Sequence, residues 1–348
     1  MQYREMGNTG LKLSVIGFGA GDNAGLFSAP TPGVDKPAPF EDQCRVLARA
    51  LDFGINYVDT AAGYGDNNSE RNLGKVFKEL RVRPIINSKF ELVPDGLSDI
   101  PGFVERSVEA SLQRLGVDAL DILQIHNQPV LHRAPNARFT PTGPWLNLEV
   151  PEYLEAIEGL RRVRKAGKAR FTGFADVGPD QPLLKMMFAT GEVSLLNQQY
   201  NLINPTPGMA KPPGLQVDQD DANIITYAME HGCGVSVVRP LFGGALTDNA
   251  VAGGANHPLA RDNRARNPAA YEKLVGRAAA FKFLSIEGRT LQQAAIQWIL
   301  LHPGVTTVLG GFGAVEQVDE NVAALDAPPL TETELARIDV AWRSNLGQ

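Results

Sequence analysis

The sequence predicts one α/β domain, a (β/α)8 TIM barrel over residues 1–348 with a β-hairpin cap at its N-terminus and long loops at its C-terminal face. Three observations predict it. Short β-branched runs repeatedly precede longer stretches of helical period. Eight such runs can be counted, the number that closes into a barrel. No polar linker interrupts the alternation, as a division into separate domains would require.

In chain order the strand runs are 15–18 (VIGF), 55–58 (INYV), 84–88 (PIINS), 121–125 (DILQI), 169–174 (ARFTGF), 193–197 (VSLLN), 235–238 (VSVV) and 305–309 (VTTVL). Helical periodicity fills 42–53, 69–80, 103–115, 153–166, 220–230 and 291–301. In the third of these, Val104, Val108, Leu112 and Leu115 share one stripe while Glu105, Arg106, Glu109 and Gln113 face water. An open doubly wound sheet is the other architecture with this alternation. Residues 2–13, folded about Gly7-Asn8-Thr9-Gly10, read as a hairpin closing one barrel end. Three stretches rich in Pro, Gly and Asn, 127–149, 201–219 and 247–268, are too long for ordinary connections. Each follows a strand, and loops after barrel strands shape the pocket.

Hydrophobic residues make up 43% of the chain and charged ones 21%, enough apolar material for a large core. The formal charge of -6 offers no general attraction to nucleic acid or anionic lipid, so small molecules are the expected partners. No apolar run approaches the ~18 residues needed to span a bilayer. The opening MQYREMGNTG carries charge where a secretory leader needs an apolar stretch, which predicts a cytoplasmic protein. Cys44 and Cys233 lie far apart without C-x-x-C spacing, which argues against a disulfide framework or structural zinc. No heptad or apolar stripe announces a subunit interface, so homo-oligomerisation stays open.

In a barrel the chemistry sits at strand ends. Asp59 ends the second strand in INYVDTAAGYG, Tyr64 follows in the loop, Lys89 ends the third in INSKF, and His126 ends the fourth in LQIHN. Neighbouring strands are ~5 Å apart, so these groups can converge. A phenol is a poor proton donor near neutral pH, but an adjacent ammonium stabilises its phenolate, and Lys89 is the candidate tuner of Tyr64. A buried lysine needs a carboxylate, which Asp59 supplies. A neutral His126 can hydrogen-bond a carbonyl oxygen and orient it toward the phenol. The set suits protonation of an oxygen.

With those four residues, and with GINYVDTAAGYGDNNSERNLGKVF, SVEASLQRLGVDALDILQIHN, VRKAGKARFTGFADV, NQQYNLI, VVRPLFGGAL and GGFGAVEQVDEN, the sequence resembles the aldo-keto reductase superfamily over nearly its whole length. The resemblance implies reversible hydride transfer between a nicotinamide and a carbonyl or alcohol substrate such as an aldehyde, ketone or sugar. Tyr64 is then the general acid or base, Lys89 and Asp59 tune it, and His126 positions substrate. Some members of the superfamily are instead nucleotide-sensing subunits with little turnover, and that alternative stays open.

The run Gly17-Phe18-Gly19-Ala20-Gly21 lacks the third glycine of a Rossmann fingerprint, because Asp22 occupies its place. In a barrel Gly19 and Ala20 can instead let the backbone approach a nicotinamide. Gly310-Gly311-Phe312-Gly313 leads into a helix whose N-terminal amides favour phosphate oxygens, so Gly311, Phe312, Gly313 and Gln317 are cofactor candidates. The resemblance carries further cofactor positions across, with departures. The usual Ser-Asn pair after strand five is Ala175-Asp176, the usual Gln is Asn197, and the stacking aromatic is Val238, followed by Arg239, Pro240 and Leu241. Glu320 and Asn321 match positions that contact adenine. The segment 304–321 contains no Lys or Arg to hold a 2′-phosphate, so NAD acceptance is expected beside NADP unless Lys211 or Arg261 reaches in. Phe27, Trp145, Phe242 and Phe312 are candidate apolar walls, with Trp145 a substrate contact.

Other barrel chemistries lack their parts. The five histidines include no H-x-H or H-E-x-x-H pair for a metal-dependent hydrolase. No pair of carboxylates ends the relevant strands for a retaining glycosidase, and no Glu base ends those needed for a phosphosugar isomerase.

Overall fold

A computed structural model describes residues 1–21, 25–28, 36–133, 146–175, 181–254, 260, 264–265 and 267–347. The hairpin is β1 (Tyr3–Glu5) and β2 (Lys12–Ser14), paired antiparallel with Tyr3 opposite Ser14. The barrel strands are β3 (Ile16–Gly19), β4 (Tyr57–Asp59), β5 (Ile85–Phe90), β6 (Leu120–Ile125), β9 (Ala169–Phe174), β10 (Leu195–Gln199), β11 (Gly234–Val238) and β12 (Val305–Gly311). They are parallel neighbours in that order, and β12 closes on β3, so the open doubly wound alternative is excluded. All eight predicted strands are present.

Local chemistry explains where helix boundaries differ from the periodicity. The third helix is Ile100–Leu115, starting earlier than 103 because the Asp99 carboxylate accepts from the Gly102 N–H and Pro101 occupies the first turn. Gly116, with φ 68°, ends it. The helix expected over 220–230 begins only at Ile224, because Ala222 and Asn223 hold left-handed backbone with φ 47° and 60°. The described parts of two long stretches carry regular elements. Within 127–149, β7 (Pro129–Val130) pairs with β8 (Leu148–Glu149). Within 247–268, Thr247 accepts from Ala250 N–H and caps the short helix Asp248–Val251. Trp145, Asp176 and Arg261 lie outside the described residues.

Hairpin and barrel form one packing unit. Met6 and Leu13 join Tyr57, Ile122, Leu195 and Leu309 in an apolar cluster distinct from the larger shell between strands and helices. Gly234 makes room for this plug, since a Cβ there would stand 2.7 Å from Met6 Cγ. The Arg4 guanidinium fastens the hairpin by donating to Val305 O at 2.6 Å and Leu300 O at 2.7 Å.

Beside this anchor, His302 Nδ1 accepts from Gly304 N–H at 3.0 Å. Burial, assisted by the Arg4 charge, lowers the His302 pKa below the ordinary histidine value. Above the unfolded-state pKa both states hold the neutral ring and this group has no effect. As pH falls through it, the unfolded chain takes up a proton that the folded chain resists, so stability is lost on the acid side. The urea midpoint of the wild type is therefore expected to drop more between pH 7.5 and 5.5 than that of His302→Asn. Equal drops would remove His302 from the acid sensitivity.

Candidate active site

Alternation along each strand decides what enters the barrel. Tyr57 and Asp59 on β4, Asn87 and Lys89 on β5, Ile122 and Gln124 on β6, and Leu195 and Asn197 on β10 point inward, while Ile86, Ser88 and Phe90 meet the surrounding shell or its neighbours. The apolar plug fills one end. Above it lies a closed ring of four hydrogen-bonded side chains. Asn87 Nδ2 donates to Asp59 Oδ2 at 2.6 Å and to Gln124 Oε1 at 2.7 Å. Gln124 Nε2 donates to Asn197 Oδ1 at 3.1 Å, and Asn197 Nδ2 returns to Asp59 Oδ2 at 3.1 Å. Tyr57 Oη also donates to Asp59 Oδ2, at 3.3 Å. Burial first, and the Asp59 charge second, push the Tyr57 phenol well above its ordinary pKa, so it stays a donor.

This ring holds one carboxylate oxygen of Asp59 and leaves the other for Lys89. Lys89 Nζ donates to Asp59 Oδ1 at 2.5 Å and to Thr60 O at 2.7 Å. The ammonium is 1% exposed and the carboxylate side chain 4%, a desolvated pair with further hydrogen bonds on both partners. The same ammonium donates to Tyr64 Oη at 3.4 Å and lies 4.9 Å from the centre of that ring. Tyr64 stands edge-on to the His126 ring, centroids 5.6 Å apart. The structure thus brings together Asp59, Lys89, Tyr64 and His126: a carboxylate, an ammonium, a phenol and an imidazole in sequence, with the half-buried Tyr64 at the mouth.

Two groups at this mouth escaped the sequence reading. Glu91, one inward step beyond Lys89, places Oε1 2.6 Å from His126 Nδ1. Gly63 makes space for it, because a Cβ there would stand 2.5 Å from that oxygen. Gln199, one inward step beyond Asn197, is half-buried at the C-terminal end of β10. Period-two counting from Lys89 and Asn197 would have found both.

The remaining candidates differ in where they lie and in what they offer. Gly19 ends β3, and Ala20 is buried with its N–H on Asp59 O at 2.8 Å. Ala175 follows β9, its N–H on Ile125 O. Val238 ends β11, then Arg239 adopts left-handed φ 51° with an exposed side chain, Pro240 is buried and Leu241 half-buried. Gly311 is exposed, and a Cβ at this position would meet nothing within 4 Å. The amide of Asn197, which stands at the usual Gln position, bonds Gln124 and Asp59 in the interior ring. The rings of Phe312 and Phe27 are fully buried about Phe18, 5.2 and 5.8 Å between centroids, so neither is a pocket wall. Phe242 is half-buried. Gly313 N–H donates to Gln317 Oε1 at 2.6 Å, and Glu320 Oε1 accepts from Thr290 and Gln292. Asn321 is buried beside Gly310, where a Cβ would stand 2.8 Å from its Nδ2 and nearer still to the Phe312 ring.

Two glycines leave this rim without side chains at their positions. A Cβ at Gly21 would lie 3.5 Å from the Tyr64 phenol ring, and a Cβ at Gly311 would meet nothing within 4 Å. Among the described residues no group of His, Cys, Asp and Glu could hold a metal ion, both described cysteines are free thiols, and no helix is long and apolar enough to cross a membrane.

A (β/α)8 barrel with a lysine-coupled phenol and a histidine at its C-terminal mouth defines a class, the oxidoreductases that act at a carbonyl or carbinol carbon. The chain belongs to the aldo/keto reductase family, whose sequence model matches residues 16–343. It is similar to L-galactose dehydrogenase of Arabidopsis thaliana, 28% identical with 100% of this chain and 99% of that protein covered. It is also similar to L-glyceraldehyde 3-phosphate reductase of Escherichia coli K12, 26% identical over 97% and 92%. A probable voltage-gated potassium channel subunit beta of Arabidopsis thaliana is 25% identical over 95% and 93%. Among solved structures, the holo form of an aldo-keto reductase from Bacillus halodurans superposes with TM-score 0.68 at 23% identity, covering 98% of this chain and 96% of that one.

Proposed function

We propose that the protein is an NAD(P)-dependent oxidoreductase of small carbonyl and alcohol substrates, with Tyr64 as the proton-transfer group. The observation that carries the proposal is the Lys89 ammonium, held 2.5 Å from Asp59 and 3.4 Å from Tyr64 Oη. An ammonium at that distance favours the phenolate, so Tyr64 can give a proton to a carbonyl oxygen and take one from a hydroxyl. Asp59 balances the charge and the amide ring holds Asp59. His126 positions the substrate oxygen beside the phenol.

A bound nicotinamide dinucleotide supplies or accepts the hydride. Gly19, Ala20, Ala175, Asp176, Val238 and Gly311 would border its nicotinamide, with Gln199 in place of Asn197. Arg239, Pro240, Leu241, Gly313 and Gln317 would face its pyrophosphate, and Glu320 and Asn321 its adenine end. The segment after β12 favours NAD. It has no cation, Glu316 is exposed in the first turn of the helix Val315–Ala323, and Arg49, which reaches this helix, is paired with Asp319 at 2.7 Å. Lys211 lies 3.9 Å from Asp220. A 2′-phosphate without a cation forgoes a charge-assisted contact of ~1.5–3 kcal/mol, about ten- to a hundredfold in affinity.

The test is steady-state oxidation and reduction of both dinucleotides with a panel starting from L-galactose, L-glyceraldehyde 3-phosphate and benzaldehyde. Turnover is expected with NAD or NADH. Binding without turnover on any substrate would favour a nucleotide-sensing subunit instead. NADPH binding more than about tenfold tighter than NADH would overturn the cofactor preference.

A further inference from the structure

We infer that Ser69 and Glu70, consecutive residues in the first turn of the helix Asn68–Leu80, are positioning residues that set the approach of the Lys89 ammonium to the Tyr64 phenol from outside the barrel wall. The inference rests on the oxidoreductase reading above and adds residues to its proton-transfer site. Side chains along a strand alternate between the interior and the surrounding shell. Asp59 and Lys89 point inward, so their chain neighbours Thr60 and Ser88 point outward, where Ser69 holds the first and Glu70 the second. Thr60 Oγ1 lies 2.8 Å from Ser69 Oγ, and Ser69 Oγ donates to Ala20 O at 2.8 Å. A hydroxyl has one proton to give, so Thr60 is the donor to Ser69. Ser88 Oγ donates to Glu70 Oε1 at 2.5 Å, and Arg114 Nε donates to Glu70 Oε2 at 2.6 Å. Thr60, Ser69, Glu70 and Ser88 are all fully buried.

The same turn also holds the phenol's own residue. Ser69 N–H donates to Tyr64 O at 3.3 Å. Gly65, Asp66 and Asn67 adopt left-handed backbone, with φ 57°, 52° and 67°, and turn the helix start back onto Tyr64. Non-glycine residues keep such backbone only where surrounding contacts hold it. One helical turn therefore bonds the residues next to Asp59 and Lys89 and the main chain of Tyr64. Arg114 also donates to Ser111 Oγ at 2.9 Å, which braces the turn against the helix Ile100–Leu115. Lys89 Nζ reaches Thr60 O at 2.7 Å and Tyr64 Oη at 3.4 Å, so displacing Thr60 or Ser88 changes the second distance. The pull of an ammonium on a phenolate weakens as the two separate, and the phenol then gives up its proton at higher pH.

The double variant Ser69→Ala/Ser88→Ala tests the assignment, because it removes two hydroxyls and keeps the buried Glu70–Arg114 pair that Glu70→Ala would break. Ultraviolet difference titration of each protein against its own Tyr64→Phe counterpart, without cofactor, isolates the Tyr64 phenol. In the double variant this titration is expected to move about half a unit or more to higher pH. The kcat for NADH-dependent reduction of benzaldehyde is expected to fall about tenfold, with KM within about twofold of the wild type. Thr172→Val deletes an equally buried outward hydroxyl on β9, the donor to Glu192 O at 2.7 Å, and should change neither quantity. The inference is overturned by a Tyr64 titration within about 0.2 unit of the wild type in the double variant, by an equal move in Thr172→Val, or by a kcat within about twofold of an active wild type. If the titration moves as expected while the wild type turns over no substrate, the oxidoreductase reading falls and the positioning of Lys89 against Tyr64 stands.

Discussion

Tyr64→Phe is expected to lower kcat/KM for NADH-dependent reduction by about 10²- to 10⁴-fold, the range lost when a positioned proton donor is removed. The substitution deletes Oη alone. The ring that packs edge-on against His126 and lies 4.9 Å from the Lys89 ammonium remains, so folding and NADH affinity should change little. Loss of chemistry with retained binding, measured by NADH consumption beside NADH fluorescence titration, is the expected pair of results. A variant that turns over within about threefold of the wild type would mean that the proton comes from another group, and the role of Lys89 as its tuner would go with it.

Asp59→Ala is expected to cost about 3–5 kcal/mol of folding stability, because it leaves a buried ammonium without its counter-charge. The Lys89 side chain is 1% exposed and, among the described residues, keeps Thr60 O and Tyr64 Oη as partners. The Asn87 and Asn197 amides and the Tyr57 hydroxyl lose their acceptor as well. Asp59→Asn/Lys89→Met removes both charges and keeps an amide oxygen for the ring, so urea unfolding should show more than half of that stability restored. Turnover should stay low, because no cation remains beside the phenol. If Asp59→Ala unfolds within about 1 kcal/mol of the wild type, the pair carries little of the stability and its burial must be relieved by water.

How much of this was legible differs between backbone and site. The eight strands were visible because a barrel strand is short, β-branched and flanked by helices of period 3.6, a pattern that tertiary contacts do not have to supply. Asp59, Lys89 and His126 were legible for the same reason, since each ends such a run and strand ends are where a barrel does chemistry. Asn87, Gln124 and Glu91 were not. In the sequence they are ordinary polar residues within or just beyond a strand, and a polar residue in a strand most often faces solvent. Asn197 was read only as standing in for the usual Gln, and its bonds to Gln124 and Asp59 in the interior ring were not visible. Phe312 was read as a candidate apolar wall, and its ring lies in the core beside Phe18.

What the sequence determined by itself is the order and number of the elements and the identity of the groups at the strand ends, because periodicity and turn chemistry are local. What only the tertiary structure decided is which of those groups share a proton or a charge. Closing the sheet brings β10 back toward β4, so that Asn197 bonds Asp59 across 138 positions of chain, and it brings Glu91 against His126 from the neighbouring strand. Hydrogen bonds act over about 3 Å, and no pattern along the chain reports a distance that exists only once the barrel has closed.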